Sequence, residues 1–225
     1  MAISRHVAER IRRHWGRDST VVYPHVDVER FTPGTGERSY YLLAGAFAPY
    51  KRLDLALAAF ARLKRPLLVV GSGQEESTLH ALAPRGTEFR SGVSDTELAR
   101  ILAGARALIF PGEEDFGILP LEAMASGTPV IAYGRGGAVE TVGRGASAET
   151  LAKVAAGGIA RVPGGLLFGT QTADALAAAV QAFEREAFSP AELARLAQPF
   201  SGARFDAEIA AELAAAGIAV ERDGA

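Results

Sequence analysis

The residues best placed to do chemistry lie between Leu108 and Val142. Glu114 follows the apolar run Leu108–Phe110, and Glu122 falls in the first turn of a helix expected to begin around Pro120. Proline is tolerated there because its φ is already helical and its missing N–H has no partner to lose. A second apolar run, Val130–Ala132, follows that helix. Both runs are short and flanked by Pro or Gly, as buried parallel strands are. Glu114 therefore sits just past a strand's carboxyl end, the edge where open parallel sheets bind ligands. The backbone N–H groups of Gly117, Ile118 and Leu119 precede the helix body and can donate to an anion, aided by the helix dipole. Two carboxylates beside an anion site suit a ligand that carries both phosphates and hydroxyls, and a nucleotide sugar is such a ligand.

The stretch Glu114-Asp115-Phe116-Gly117-Ile118-Leu119-Pro120-Leu121-Glu122 resembles the Glu–seven residues–Glu motif of retaining GT-B glycosyltransferases of family 4. The run from Ala123 to Ala132 and the segment Gly136-Gly137-Ala138-Val139-Glu140 are similar to that family too. The motif is specific because its strand–loop–helix context accompanies it. The resemblance spans residues 18–200 and implies the C-terminal, donor-binding domain of such an enzyme. It implies that Glu114 and the Phe116-Gly117 backbone hold the donor sugar, that Glu122 holds the ribose hydroxyls, and that the base meets the backbone near Val93. It also implies a lysine for the pyrophosphate in the loop after the first strand, which is Lys51. No metal and no other cofactor is expected. GT-B enzymes have two Rossmann-like domains, so the N-terminal acceptor domain is expected to be missing here. The expected organisation is a first-domain helix and linker over 1–38, the donor-binding domain over 39–200, and a C-terminal helix and tail over 201–225.

The elements that must position these groups read in order. Ile3, Val7, Ile11 and Trp15 fall on one side of an amphipathic helix over 2–16, with Arg5, Arg10, Arg12, Arg13 and His14 around the rest. Such a helix admits peripheral association with an anionic membrane, although a packing helix with a solvated basic face fits its narrow stripe better. Thr20–Tyr23 reads as a short strand, and Val26–Phe31 resembles the family's interdomain linker. Tyr40–Ala44 is the first strand of the doubly wound unit, and Gly45–Arg52 is the loop after it. Lys51 there faces the ligand edge, where an ammonium can neutralise a departing diphosphate. Phe47 and Arg52 are assigned to the substrate from the same loop. Many members of the family carry an Arg at the position of Ala46, and Arg52 replaces it only if its side chain turns inward.

Leu67–Val70 is the second strand, and Gly71 and Gly73 in the turn after it are expected to border the nucleotide. Glu88–Arg90 is a third strand, Ser94 with Glu97 opens a helix over 95–104 as a capping box, and Ala107–Phe110 is the fourth strand. The adjacent Gly136 and Gly137 permit close backbone approach to a phosphate. Residues 143–163 fit the family poorly, with an Ala-rich segment helical from Ser147 to Ala156. Gly165–Phe168 is a further short strand, followed by helices over 173–186, 191–197 and 205–216. Parallel strands alternating with helices make the class α/β, a doubly wound, Rossmann-like parallel sheet.

Composition narrows the partners. The 225 residues are 48% hydrophobic with a net charge of −2, which gives no reason to expect nucleic acid. There is no cysteine, so no disulfide framework and no thiolate chemistry. The expected location is the cytoplasm, with the basic helix admitting the inner face of a membrane. The Ala48–Arg52 and Glu113–Gly117 stretches look most like mannosyltransferases that use GDP-mannose. UDP-sugars stay open, because no residue reads guanine unambiguously. Two other readings stand beside a hexosyltransferase. One is a non-catalytic nucleotide-sugar-binding module that needs a separate acceptor domain. The other is an epimerase or phosphorylase-like enzyme with a Schiff-base lysine, for which Lys64 and Lys153 look ill placed.

Overall fold

The computed structural model describes residues 1–218; the last seven residues of the expected C-terminal tail, 219–225, lie outside them. Short apolar runs punctuated by Gly and Pro build one sheet. Its strands are β1 (Tyr40–Ala44), β2 (Leu67–Val70), β3 (Glu88–Arg90), β4 (Ala105–Phe110), β5 (Val130–Tyr133), β6 (Ile159–Val162) and β7 (Gly165–Phe168). Their order across the sheet is β3-β2-β1-β4-β5-β7-β6. All neighbours are parallel except β6, which runs antiparallel to β7 at the edge. The doubly wound parallel sheet thus carries one antiparallel edge strand. Pro163 and Gly164 make a tight turn between β6 and β7, and a two-residue connection can only join antiparallel strands.

Side chains alternate across the strands, so each run feeds two cores. Leu42, Leu68, Leu108 and Val130 point to one face with Leu121 and Met124. Tyr41, Leu43, Val69, Ile109 and Ile131 point to the other with Leu57, Phe60 and Leu176. The helices covering these faces, after α1 (Arg5–Trp15), are α2 (Leu53–Leu63), α3 (Glu76–Leu82), α4 (Asp95–Gly104), α5 (Ile118–Ala125), α6 (Ala138–Thr141), α7 (Ala148–Ala155), α8 (Ala173–Phe183), α9 (Pro190–Ala197) and α10 (Gly202–Ala215). Several begin where a hydroxyl satisfies an orphan amide. Ser94 accepts from Glu97 N, Ser147 from Thr150 N and Thr172 from Ala175 N. The Ala-rich insertion is thus α7, started by its own cap.

Two further expectations change. Thr20–Tyr23 is not a strand; it makes only an isolated parallel bridge, Ala2 to Val21. Helix α5 starts at Ile118 rather than near Pro120, because Gly117 takes φ 87° and turns the chain into the helix early. The linker is anchored in the core through buried Val26 and Phe31, with Val26 N donating to Phe200 O at 2.8 Å. Helix α10 packs back on that linker, where Arg204 donates to Tyr23 O at 2.7 Å and Phe205 lies 5.2 Å from the His25 ring. Helix α1 buries no residue, and its Trp15 is 74% exposed. No described helix is long and apolar enough to cross a membrane.

Candidate functional site

The sheet order reverses direction between β1 and β4, which are hydrogen-bonded neighbours although β2 and β3 separate them in the chain. The loops leaving two such strands diverge to opposite faces and leave a crevice at the carboxyl edge. One loop, after β1, ends in a 3-10 turn over Pro49–Lys51. The other, after β4, carries the acidic run Glu113-Glu114-Asp115. The two press backbone to backbone at Gly112, where an added Cβ would stand 2.8 Å from the Lys51 Cα. That closeness brings Lys51 Nζ to 2.6 Å from a Glu114 carboxylate oxygen. Both side chains are largely withdrawn from solvent, at 17% and 19% exposure.

A cavity of about 820 Å³ opens beside this pair. Its size is that of a site for a drug- or nucleotide-sized ligand. Lys51, Glu114, Glu122 and the Gly117-Ile118-Leu119 start of α5 line it, together with Ala44, Val70, Gly71, Val93 and Leu98. The first amides of α5 have no acceptor within the helix, so they remain donors toward the cavity edge. Glu122 sits against the apolar side. Burial pushes its carboxyl above the usual carboxylate range, Asp95 adds to that, and Arg30 opposes it. Among the described residues no cation stands within 4.0 Å of it. Tyr50, 58% exposed, offers its ring 5.6 Å from Lys51 Nζ.

Every acid of the loop has a basic side chain beside it. Glu113 lies 3.7 Å from His6, Glu114 pairs with Lys51, and Asp115 pairs with Arg10. Helix α1 is held over the loop by Glu140, whose carboxylate accepts from Arg5 N, His6 N and Tyr23 Oη, each at 2.9 Å. Among the described residues, no three His, Asp or Glu side chains gather where they could hold a metal ion.

The structure brings Lys51, Gly71, Val93, Phe116, Gly117, Ile118, Leu119, Glu114 and Glu122 to one cavity. Other expected site residues stand elsewhere. Phe47 is buried in the opposite core, edge-on to Phe89, because its backbone N is drawn to Ser72 O at 2.8 Å. Arg52, at φ 54°, turns to Asp54 at 3.1 Å and to Gln171, so it does not replace the cation absent at Ala46. Gly73 is a glycine because Phe47 backbone atoms lie 2.8 Å from where its Cβ would be. Gly136 and Gly137 back the acidic loop rather than line this cavity. Their added Cβ atoms would meet Glu114 O at 2.4 Å and Phe116 O at 2.1 Å, and Gly137 N donates to Glu114 O. The Phe116 ring is buried and stacked 5.6 Å from Tyr23, while the residue still contributes to the cavity wall. Sequence reasoning did not single out Gly112 or Tyr50, nor the anchoring role of Glu140. A Gly two residues past a strand was the one signal available for Gly112.

The sequence matches the family model for Glycosyl transferases group 1 over residues 27–198. A curated relative, a D-inositol 3-phosphate glycosyltransferase of Streptomyces bingchenggensis, is 34% identical over 160 residues, which is 56% of this chain and 35% of that protein. The chain thus spans about a third of the length of the curated relatives it matches. Among solved structures, sucrose-phosphate synthase from Thermosynechococcus elongatus aligns with TM-score 0.75 at 24% identity, over 96% of this chain and 58% of that one. Anabaena HepE, solved with UDP and glucose, aligns with TM-score 0.74 at 19% identity, over 95% and 62%. The seven-stranded, mostly parallel sheet flanked by helices is the Rossmann-like half-domain of GT-B glycosyltransferases.

Proposed function

The chain belongs to the Glycosyl transferases group 1 family, and from that premise we propose that it is the donor-binding half of a retaining, family 4 hexosyltransferase. The supporting observation is the single cavity shared by Lys51, Glu114, Glu122 and the start of α5. An ammonium, helix-start amides and two carboxylates are what a nucleoside diphosphate sugar requires. The amides and Lys51 hold the diphosphate. Glu114 accepts from sugar hydroxyls, and Glu122 accepts from the ribose diol. A bidentate carboxylate–diol contact fixes the anomeric carbon relative to the acceptor.

Without ligand, Lys51 and Glu114 satisfy each other at 2.6 Å. On donor binding both change partner. The ammonium turns to the diphosphate and the carboxylate to the sugar, so neither charge is left bare in a half-buried setting. As the glycosidic bond to the diphosphate breaks, negative charge grows on the leaving oxygens, and Lys51 is already beside them. Neither glutamate has to be the nucleophile, and the residues named here act without a metal. In this reading, transfer requires an acceptor domain in addition to the residues named here. Mannose from GDP-mannose is the finer reading, supported by the Ala48–Arg52 and Glu113–Gly117 loops. The alternative is a non-catalytic nucleotide-sugar-binding subunit that needs a separate acceptor domain.

Thermal unfolding with GDP, UDP, GDP-mannose and UDP-glucose tests the donor reading. A nucleotide that binds the fold raises its stability by about 2.7 kcal/mol at a hundred times Kd. A larger rise with GDP than with UDP supports the mannosyl reading, and the reverse order sinks it. No rise with any of the four at millimolar concentration, in a protein whose circular dichroism shows it folded, ends the donor reading.

A further inference from the structure

A second cavity, about 800 Å³, lies on the far side of the acidic loop, between the start of α1, the turn after β5 and the segment that follows α6. Arg5, Arg135 and Arg144 line it, with His6, Tyr23 and Glu140. We propose that this cavity binds a phosphomonoester, and, resting on the glycosyltransferase reading, that the phosphate is carried by the acceptor.

The argument is one of unmatched charge. Glu140 is the sole carboxylate in the lining, and its two oxygens already accept from Arg5 N, His6 N and Tyr23 Oη. The α1 N-terminus is closed by that same carboxylate, so the helix end itself has no amide to offer. His6 leans to Glu113 at 3.7 Å. The guanidiniums of Arg5, Arg135 and Arg144 make no ion pair and no side-chain hydrogen bond among the described residues. Other surface arginines are paired, Arg12 with Glu9, Arg65 with Glu184 and Arg90 with Glu88, while unpaired ones such as Arg17, Arg85, Arg100 and Arg185 do not line this cavity.

Two of the three guanidiniums, those of Arg5 and Arg144, line the cavity beside Tyr23. Arg144 lies 5.3 Å over the Phe200 ring, and Phe200 packs edge-on to Tyr23 at 5.7 Å. Arg5 and Arg144 both act on the Tyr23 phenol from close by, against the burial that raises its pKa. Planar guanidiniums at one concave site match the oxygens of a phosphate better than a single point charge does. Gly136, which lines the second cavity, packs against the backbone of Glu114, which lines the first, so the two cavities are neighbours. A molecule anchored by its phosphate in the second cavity therefore lies next to the loop that is to hold the donor sugar. The lining also offers Val139 and Leu151 as apolar floor for the carbon body of an ester.

The test is calorimetric titration of the whole chain with glucose 6-phosphate, glycerol 3-phosphate, inorganic phosphate and glucose. Each titration is run on the protein saturated with GDP or UDP, and on the Lys51→Ala variant, so that the donor cavity is closed to phosphate in one of two independent ways. The expected result is saturable binding of a phosphomonoester, tighter than inorganic phosphate, with no binding of glucose. Arg135→Gln with Arg144→Gln, both at exposed positions, should weaken it about ten-fold or more and leave nucleotide affinity unchanged. Absence of saturable phosphomonoester binding, or binding indifferent to the two substitutions, overturns the site. Inorganic phosphate binding as tightly as both esters overturns the assignment to an acceptor. If no nucleotide binds while the arginine-dependent site persists in Lys51→Ala, the donor reading falls and this site stands.

Discussion

The Lys51 cavity, proposed for the donor, and the arginine-lined cavity are nearly equal in volume, about 820 and 800 Å³, yet they carry charge in opposite ways. In the first, the cation Lys51 is matched by Glu114 at 2.6 Å, and the neighbouring Asp115 is matched by Arg10. In the second, one carboxylate is engaged by three donors and three guanidiniums stay unmatched. A self-neutralised site binds by exchange of partners and can release a charged product. A site with net charge binds by attraction and weakens with salt. The same contrast appears inside the donor cavity. Glu114 has its ammonium, whereas Glu122 faces apolar neighbours and holds its proton more tightly for it.

The comparison can be broken where the two cavities adjoin. A methyl group at Gly137 would stand 2.1 Å from Phe116 O, so Gly137→Ala forces the acidic loop off its seat. Overpacking of this kind against backbone costs about 3 kcal/mol, to be read as a lower urea midpoint at unchanged slope. A loss well under 1 kcal/mol would mean that the loop is pliant and does not hold the two cavities.

Lys51→Ala sharpens the contrast between one cation and several. It removes the donor cavity's ammonium and leaves Glu114 without its partner. Nucleoside diphosphate affinity should fall about thirty-fold, or about 2 kcal/mol, measured by calorimetry. Unchanged affinity would take Lys51 out of the diphosphate contact.

Glu122→Gln gives the smallest effect and tests the buried carboxylate. A folded pKa raised above the unfolded one means stability that is fully present below the ordinary carboxylate range and lost as pH rises through the raised value. The glutamine variant, which never ionises, should therefore melt higher than the parent at neutral pH, by at most a few degrees, about 3 °C. The gap should close as pH falls into the range where Glu122 is protonated in both states. A gap that persists at low pH would assign the gain to packing instead of to the charge.

Much of the donor cavity was legible in the chain. Apolar runs too short for helices, separated by capped helices, required an alternating sheet, and the motif from Glu114 to Glu122 had to sit at a strand's carboxyl end. Lys51, Val93 and Gly117–Leu119 followed from the same edge argument. Phe47 failed because loop position does not fix which face a side chain takes, and here the bond to Ser72 turns it into the far core. Arg52 stands outside the cavity because its guanidinium turns to its neighbour Asp54. Gly136 and Gly137 were recognised as places of close backbone approach, but what approaches is the chain's own loop. The bounds of β6 were not legible, because only its pairing with β7 marks Ile159–Val162 as a strand.

The sequence by itself determined the class of fold and the edge at which its chemistry had to gather, because periodicity and punctuation are local properties that strands and caps obey one segment at a time. The tertiary structure alone decided which loops meet. Lys51 and Glu114 are far apart in the chain, and only the crossover that sets β1 beside β4 makes them a pair. It also decided that Glu140 binds the start of α1, thereby leaving three arginines without partners. Ion pairing between distant segments depends on register and packing, and neither is written in the spacing of residues along one strand.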